Sequence, residues 1–260
     1  ADYNVFALVT TIDKKCLYPD KKVRQLVSDK IGKEFIGTLE DDIIIYTMLE
    51  LEQFIGSKID WVCGLSFDEI IIRNNKKYLP NVTRRFCTSV MKVEPIKEWW
   101  YNNINETIET RIGYRANEQS RAKRMLEKHI EGVQWEKFII GKHKNGNNKW
   151  KKLPYRVAKF PLIDDGIFKD KIVQYWKDKP VRFAYMNNCI GCFHRHEVLL
   201  KYMSEKYPNK YEWFAAQERS NGYSNTGTFK QGISYDKIKN SLKQTKLFDD
   251  DFNDCDSGYC

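Results

Sequence analysis

The sequence predicts an α/β protein, and two parts of the chain carry that prediction. A short apolar run at residues 4–10 (NVFALVT) is typical of a buried strand, and it precedes a segment with helical spacing at residues 21–31. A strand-like stretch at residues 107–113 ends at a glycine turn and is followed by a helical pattern over residues 117–129. Strand, glycine turn and helix in that order are typical of α/β folds.

Further helices are predicted in the first half of the chain. Asp41 and Asp42 stand where they cap the first turn of one of them, and Pro95 is expected to kink another or divide it in two. Residues 68–73 fit a helix or a strand equally well. The predicted helices are at residues 41–55, 58–67 and 88–103.

The second half continues the alternation. Residues 141–150 (GKHKNGNNKW) read as a polar loop or a hairpin tip, and residues 155–162 as a strand. Residues 221–232 are a loop rich in glycine, serine and asparagine, and an acidic tail follows the last helix. The predicted helices are at residues 164–177, 192–207, 210–219 and 235–244.

Composition limits the classes of function. The chain has 260 residues, 42% of them hydrophobic, which is enough to form a core. It has no apolar run near the ~18 residues of a membrane-spanning helix and no basic, apolar leader at its start, so a cytoplasmic protein without membrane contact is expected. The net charge of +9 suits a polyanionic partner, although a solvated lysine-rich surface would give the same value.

The cysteines are the strongest chemical feature. The chain has seven, an odd number, and no export signal, so metal binding or redox chemistry is a better expectation than a disulfide framework. Cys189 and Cys192 form a CxxC pair, which zinc, iron–sulfur clusters and thiol–disulfide exchange all use. Cys255 and Cys260 form a second pair, which either completes a four-cysteine site or belongs to a C-terminal tail in which the cysteines have no role. Cys16, like Cys63, fits an ordinary buried residue.

Arginines form the second group of candidates. Arg115 and Arg121 lie beside the glycine turn at a predicted helix start, where backbone N–H groups and guanidinium groups suit a phosphate or sulfate. Glu118 is placed to orient either of them. Arg85 precedes Cys87 in a second basic segment. Surface ion pairs are the alternative interpretation of all four residues.

Five segments together resemble the phosphoadenosine phosphosulfate (PAPS) reductase family of the adenine-nucleotide α-hydrolase, or PP-loop, superfamily. Residues 87–96 (CTSVMKVEPI) look like its Cys-Cys-x-x-x-Lys-x-x-Pro-Leu segment, and residues 112–118 (IGYRANE) look like its Gly-x-Arg-x-x-Glu turn. Residues 160–164 (FPLID), followed by residues 189–192 (CIGC), resemble its Pro-Leu…CxxC half. The ending CDSGYC at residues 255–260 is similar to phage-type members.

The resemblance implies a Rossmann-like, mostly parallel sheet flanked by helices over residues 1–180, with a helical, cysteine-bearing region over residues 181–260. It also implies an adenine nucleotide, ATP or PAPS, as substrate and a [4Fe–4S] cluster. Thr88 replaces the second cysteine of the family's pair, so the implied cluster ligands are Cys87, Cys189 and Cys192.

Two family motifs are absent from the printed sequence: the Ser-Gly-Gly-x-Asp-Ser phosphate loop and the Glu-Cys-Gly-x-His segment with the nucleophilic cysteine. We expect a truncated form to account for the missing loop, and a nucleotide site that is degenerate or completed elsewhere is the alternative. Cys255 or Cys260 would then be the catalytic thiol, and Arg85, Arg115, Glu118 and Arg121 would bind the nucleotide or another anion.

The expected function is therefore that of a sulfonucleotide reductase-like oxidoreductase or a PP-loop sulfurtransferase. An electron-donor protein and a nucleic acid substrate are candidate partners, and a homodimer is left open. The alternative is a non-enzymatic nucleic-acid-binding protein. In it the two cysteine pairs hold zinc, and Trp99, Trp100 and Tyr101 meet the bases.

Overall fold

The computed structural model describes residues 2–73, 78–222 and 227–242. Helices and strands are mixed along the chain, as predicted. The strands are β1 (Asn4–Ala7), β2 (Ile59–Val62), β3 (Ile108–Arg111), β4 (His129–Ile130), β5 (Val133–Lys142) and β6 (Asn148–Lys159). The helices are α1 (Lys21–Ile31), α2 (Ile43–Ile55), α3 (Phe67–Arg73), α4 (Phe86–Thr88), α5 (Glu94–Asn103), α6 (Gln119–Leu126), α7 (Pro161–Asp164), α8 (Lys169–Trp176), α9 (Glu197–Lys206), α10 (Pro208–Ser220) and α11 (Tyr235–Lys239). Two single 3₁₀ turns cover Lys14–Cys16 and Ala116–Glu118.

The chain divides into two compact units. One combines Ala1–Ile96 with Val181–Cys260, and the other is Lys97–Pro180. The boundary predicted at residue 180 therefore coincides with the end of the second unit. Residues 1–96, however, belong with the cysteine-bearing C-terminal region, because their apolar side chains share a core with it.

The first unit contains a parallel pair of strands, β1 and β2, in register from Asn4 with Ile59 to Ala7 with Val62. The prediction of a helix over residues 58–67 was wrong, because Ile59–Val62 forms the strand β2. Ile59, Trp61 and Val62 are buried there, and β-branched and aromatic side chains favour an extended backbone against a core.

The helix α1 begins where the sequence predicts, at Lys21, and α2 begins at Ile43, two residues after the predicted start at residue 41. The Asp20 carboxylate accepts hydrogen bonds from the first-turn N–H groups of Lys22 and Val23, and Gly32 ends α1 at a φ of +67°. At α2 the Asp41 carboxylate accepts from the N–H of Ile43 at 3.0 Å. Both helices pack on β1 and β2 around a core that includes Phe35.

The segment around Pro95 confirms the predicted junction of two helices. The short helix α4 passes into a π-helical turn at Ser89–Val93, and α5 starts at Glu94. The helical run from α4 to α5 continues unbroken through this junction, and Pro95, which has no N–H to donate, closely follows the wider π-helical turn. The ambiguous residues 68–73 are helical and form α3 with Phe67.

The second unit is built on a four-stranded sheet in the order β3-β6-β5-β4. β3 and β6 are parallel, whereas β6–β5 and β5–β4 are antiparallel. The polar segment predicted as a hairpin tip joins β5 to β6, which confirms that prediction. Trp100 of α5 is buried against Phe138 and Tyr155 of this sheet, with ring centroids 4.7 and 5.1 Å away.

That core corrects the role suggested for three aromatic residues. Trp100 is only 2% exposed, and Trp99 and Tyr101 pack beside it. A ring enclosed by protein has no face to offer a base, so Trp100 does not form the expected nucleic-acid contact.

Three C-terminal helix predictions differ in extent from the structure. The helix over residues 164–177 is divided into α7 and α8 around Gly166, whose φ is +61°. Helical structure after the CxxC pair starts at Glu197 rather than at Cys192. The last helix within residues 227–242 is α11, which ends at Lys239.

Candidate metal centre and anion sites

The CxxC pair lies in a tight turn of the first unit. The N–H of Cys192 donates to the carbonyl of Cys189 at 3.0 Å, which closes the turn. The N–H of Ile190 donates to the carbonyl of Leu39 at 2.8 Å, and the hydroxyl of Tyr235 donates to the carbonyl of Gly191 at 2.9 Å. Segments from both ends of the chain therefore fix the backbone between the two cysteines.

Gly191 is required in this turn by space. A methyl group added to it would lie 2.4 Å from the ring of Phe214 in α10, closer than any real contact. Gly191 does not have a positive φ, so this close approach rather than backbone freedom requires glycine here. The turn is thereby pressed against the aromatic core of the C-terminal helices.

Cys87 reaches the same region from a distant part of the sequence. It is buried in the one-turn helix α4, in the hydrophobic core against which Cys189 packs. Burial, together with the neighbouring Cys192, raises the pKa of Cys87 to about 11. Burial likewise raises the pKa of Cys189, and Glu40, Cys192 and Cys87 add to the effect. The structure thus brings the three predicted ligands into one electrostatically coupled group.

A lysine–glutamate pair adjoins the thiols. The ammonium of Lys92 lies 2.8 Å from the carboxylate of Glu40, whose side chain is almost wholly buried. Burial alone would lower the pKa of Lys92, but Glu40, Cys189 and Cys192 outweigh that effect and raise it. Lys92 therefore stays cationic next to the cysteines.

Arg195 supplies a second, fully buried cation. Its guanidinium group donates to the carbonyls of Cys189 at 3.2 Å and Asn188 at 2.9 Å, and it also contacts the sulfur of Met186. Burial lowers the pKa of Arg195, while Cys192 and Cys189 act in the opposite direction. An arginine keeps its charge under these conditions, so a positive group underlies the CxxC turn.

Arg85 also lies near the cysteines. Its charge acts on the pKa of Cys87 and on that of His194, which burial lowers to about 4 with further contributions from Arg85 and Lys230. Lys230 in turn donates to the carbonyl of Arg195 at 2.9 Å. His196 is separate from this group and caps α9 through its Nδ1. The positive charge around Cys87, Cys189 and Cys192 makes the site attractive to anionic groups.

Over the three described stretches of the chain, no group of three or more histidine, cysteine, aspartate or glutamate side chains has an arrangement that would hold a metal ion. The charges of Cys87 and Cys192 both act on the pKa of Cys189, which places the three thiols in one part of the first unit.

The remaining predicted anion-binding residues lie in the second unit. Glu118 joins them: its carboxylate accepts from the backbone N–H of Arg115 at 2.9 Å, from Nε of Arg115 at 3.1 Å and from Arg121 at 3.0 Å. The guanidinium of Arg121 lies 4.3 Å from the ring centroid of Tyr114, which stacks on Phe160. Glu118 was expected to orient one of these arginines, and it contacts both. Its carboxylate also offsets part of their positive charge.

The two residues predicted as catalytic, Cys255 and Cys260, lie outside the described residues. Lys92, Glu40 and Arg195 are part of the cysteine site but were not predicted as such from the sequence. Lys92 lies in the segment that resembles the PAPS reductase family, so its place in the site could have been predicted from that resemblance. The sequence does not indicate that Glu40 and Arg195 belong to the site, because their burial depends on how distant segments pack.

Comparisons with family models, with curated proteins and with solved structures found no match to the chain. None of the described helices combines the length and the apolar character needed to cross a membrane.

Proposed function

We propose that the chain is a PAPS reductase-like enzyme that holds an iron–sulfur cluster on Cys87, Cys189 and Cys192. Its substrate would be an adenylyl nucleotide or an activated sulfur species. The observation that carries the proposal is that Cys87, about a hundred residues away in sequence, shares a core with Cys189 of the CxxC pair, beside the cations Lys92 and Arg195. The order of the family-like segments in the sequence supports the same conclusion.

The chemistry of the donor set fits a cluster. Thiolate is the cysteine form that binds iron, and a raised pKa keeps Cys87 and Cys189 protonated until a metal displaces the proton. Lys92 and Arg195 compensate the thiolate charge that remains on binding. A fourth ligand would come from Cys255 or Cys260, or that position would be open to a sulfur species.

A bound cluster would supply electron transfer or a coordination site for sulfur. The protein's own part is to orient and shield the thiols. Arg195 fixes the carbonyl of Cys189, Tyr235 fixes that of Gly191, and the ring of Phe214 closes one side of the turn. Each of these contacts restricts the cysteines to one arrangement and reduces the access of water.

The arginines provide the means to bind a nucleotide. Within the second unit, Arg115 and Arg121 would hold a phosphate or sulfate after exchanging part of their contact with Glu118. Within the first unit, Arg85 would separately meet an anionic group next to Cys87. Cys255 or Cys260 is proposed as the attacking thiol. Its attack as a thiolate would depend on a neighbouring cation that lowers its pKa.

Cysteine variants of the full chain, prepared and reconstituted without oxygen, test the cluster site. We expect Cys87→Ala, Cys189→Ala and Cys192→Ala each to reduce bound iron and acid-labile sulfide about tenfold or more, because each removes one anchoring thiolate. Iron, sulfide and the visible spectrum are measured, so the readout does not depend on activity.

Cys16→Ala is the matched control. Cys16 is also a buried thiol, but the charges that act on it are those of Asp13, Lys210, Asp68 and Asp42 rather than the other cysteines. It should bind as much iron as the parent chain. Equal iron in all four variants, or zinc in place of iron, would contradict the proposal.

A further inference from the structure

The hairpin of β5 and β6 is the most strongly charged element of the described chain. Residues 133–159 contain eight lysines and arginines and one glutamate. That glutamate, Glu136, is already engaged with Lys97 at 3.1 Å. Among the ion pairs of the described residues, none involves the hairpin's own lysines, which are Lys137, Lys142, Lys144, Lys149, Lys151, Lys152 and Lys159.

The register of the hairpin sorts its side chains onto two faces. Ile139 is opposite Trp150, and Lys137 is opposite Lys152, so these four side chains share one face. Trp135 follows on the same face, because side chains two residues apart on a strand point the same way. Phe138, whose ring packs on Trp100 in the core, lies on the other face.

The first of these faces is open to solvent and carries large apolar groups. Trp150 is 56% exposed, Ile139 46% and Trp135 38%, and the flanking Lys137 and Lys152 are exposed as well. We call these five residues the hairpin face. Isolated exposed apolar side chains are ordinary. Two tryptophans and an isoleucine in one row between lysines instead form a contiguous apolar patch, which is typical of a binding surface.

We propose that the hairpin face binds single-stranded nucleic acid. Lysines without a carboxylate partner suit phosphates, and an exposed indole offers a flat surface on which an unpaired base stacks. Successive cross-strand pairs on the face are about 7 Å apart, so an extended strand can meet the Lys137–Lys152 pair and the Ile139–Trp150 pair in turn.

A single strand fits this surface better than the other polyanions do. A duplex hides its base faces in the stack, and a sulfated polysaccharide offers Trp150 only C–H groups rather than a π-face, so neither stacks on the indole as an unpaired base does. The inference does not depend on the cysteine site and stands or falls separately from the proposed enzyme.

The test is fluorescence anisotropy of labelled oligothymidine and oligouridine with the full chain between about 50 and 200 mM salt. We expect binding that weakens with salt, and Trp150→Ala should reduce affinity about tenfold through the loss of one stacked base. Trp150→Phe should restore most of it. Lys137→Gln with Lys152→Gln should lower the log–log salt slope by about 1.4, the value for two phosphate contacts on a single strand.

The double variant Lys21→Gln with Lys22→Gln removes the same charge from exposed positions of α1 and is the matched control. It should leave affinity and slope unchanged. Three results would overturn the proposal: no binding of either oligonucleotide, an equal slope change in the control, or heparin and duplex binding as tight as single-strand binding with no effect of Trp150→Ala. Circular dichroism confirms that each variant is folded.

Discussion

At Gly191 and its neighbours the arrangement of the cysteines depends on single contacts. The turn is closed by one hydrogen bond between Cys189 and Cys192 and touches the ring of Phe214 without room for a methyl group. Arg195 bonds to the carbonyl of Cys189 from beneath. A small change at the turn should therefore alter both packing and the positions of the thiols.

Gly191→Ala should lower the free energy of unfolding by about 1–3 kcal/mol, because the added carbon must displace the ring of Phe214. Urea denaturation of the full chain measures the change. Gly113→Ala is the control, since the nearest atom to a carbon added there lies 4.0 Å away, on Leu162. An unchanged free energy in the first variant would show that the turn has room that the structure does not display.

The residue scale also shows what a sequence can reveal about such a site. Spacing identified Cys189 and Cys192, and the resemblance added Cys87, because ligand chemistry restricts which residue types serve. The buried partners Glu40 and Arg195 are outside that logic. Their contacts join residues far apart in sequence, and a charged residue is ordinarily predicted to lie at the surface.

At the scale of elements, Glu218 holds α10 to the segment that leads into α11. Its carboxylate accepts from the N–H of Phe229 at 2.9 Å and from the N–H of Tyr235 at 2.6 Å. Burial raises the pKa of Glu218 to about 7 against the two hydrogen bonds, with a smaller contribution from Asp236. This carboxyl therefore titrates near neutral pH in the folded chain.

The raised pKa predicts a pH-dependent stability. Between the ordinary value of 4.5 and about 7, the folded chain keeps a proton on Glu218 that the unfolded chain has lost. The contribution of this group is therefore full below about 4.5, falls as pH rises through the window, and levels off above about 7, with a total change of about 3 kcal/mol.

Urea denaturation of the parent chain and of Glu218→Gln across this range measures the effect. The difference in unfolding free energy between them isolates Glu218, because every other titrating group is common to both. As pH rises to about 7, the parent chain should lose stability relative to Glu218→Gln. A difference that is constant with pH would contradict the buried carboxyl.

Local pattern predicted most elements well, and the failures share a cause. The helix α1 has its apolar face and both caps in sequence, and its bounds are as predicted. Residues 58–67 carry an apolar pattern that fits a helix, yet Ile59–Val62 pairs with β1. Pairing of distant strands is tertiary information, and short apolar runs do not disclose it.

At the scale of the whole molecule, the α/β class was predictable but the division into units was not. The alternation of strand and helix patterns gives the class. The association of residues 1–96 with the C-terminal region follows from a core in which Val9, Leu39, Met91, Phe193 and Phe214 are buried together. The parallel pairs β1–β2 and β3–β6 belong to separate sheets, and the pairs β6–β5 and β5–β4 are antiparallel, so the strands of the described residues differ from the single, mostly parallel sheet that the resemblance implies.

The hairpin of β5 and β6 was also predicted only in part from the sequence. Its polar tip was predicted from the lysine, glycine and asparagine residues at 141–150, whereas β5 before it was not predicted. Its exposed face was not, because the alternation of buried and exposed residues is interrupted by irregular register at Gln134/Trp135 and Ile139/Gly141. Charge density was visible in the sequence, but only the register places Trp150 and Lys152 on one face.

The most direct test is the metal content and visible spectrum of the unmodified full chain, purified without oxygen. If Cys87, Cys189 and Cys192 anchor an iron–sulfur cluster, the protein is brown, absorbs near ~400 nm and contains iron and acid-labile sulfide in equal amounts. A colourless protein that contains zinc, or no metal after reconstitution with iron and sulfide, would contradict the cluster.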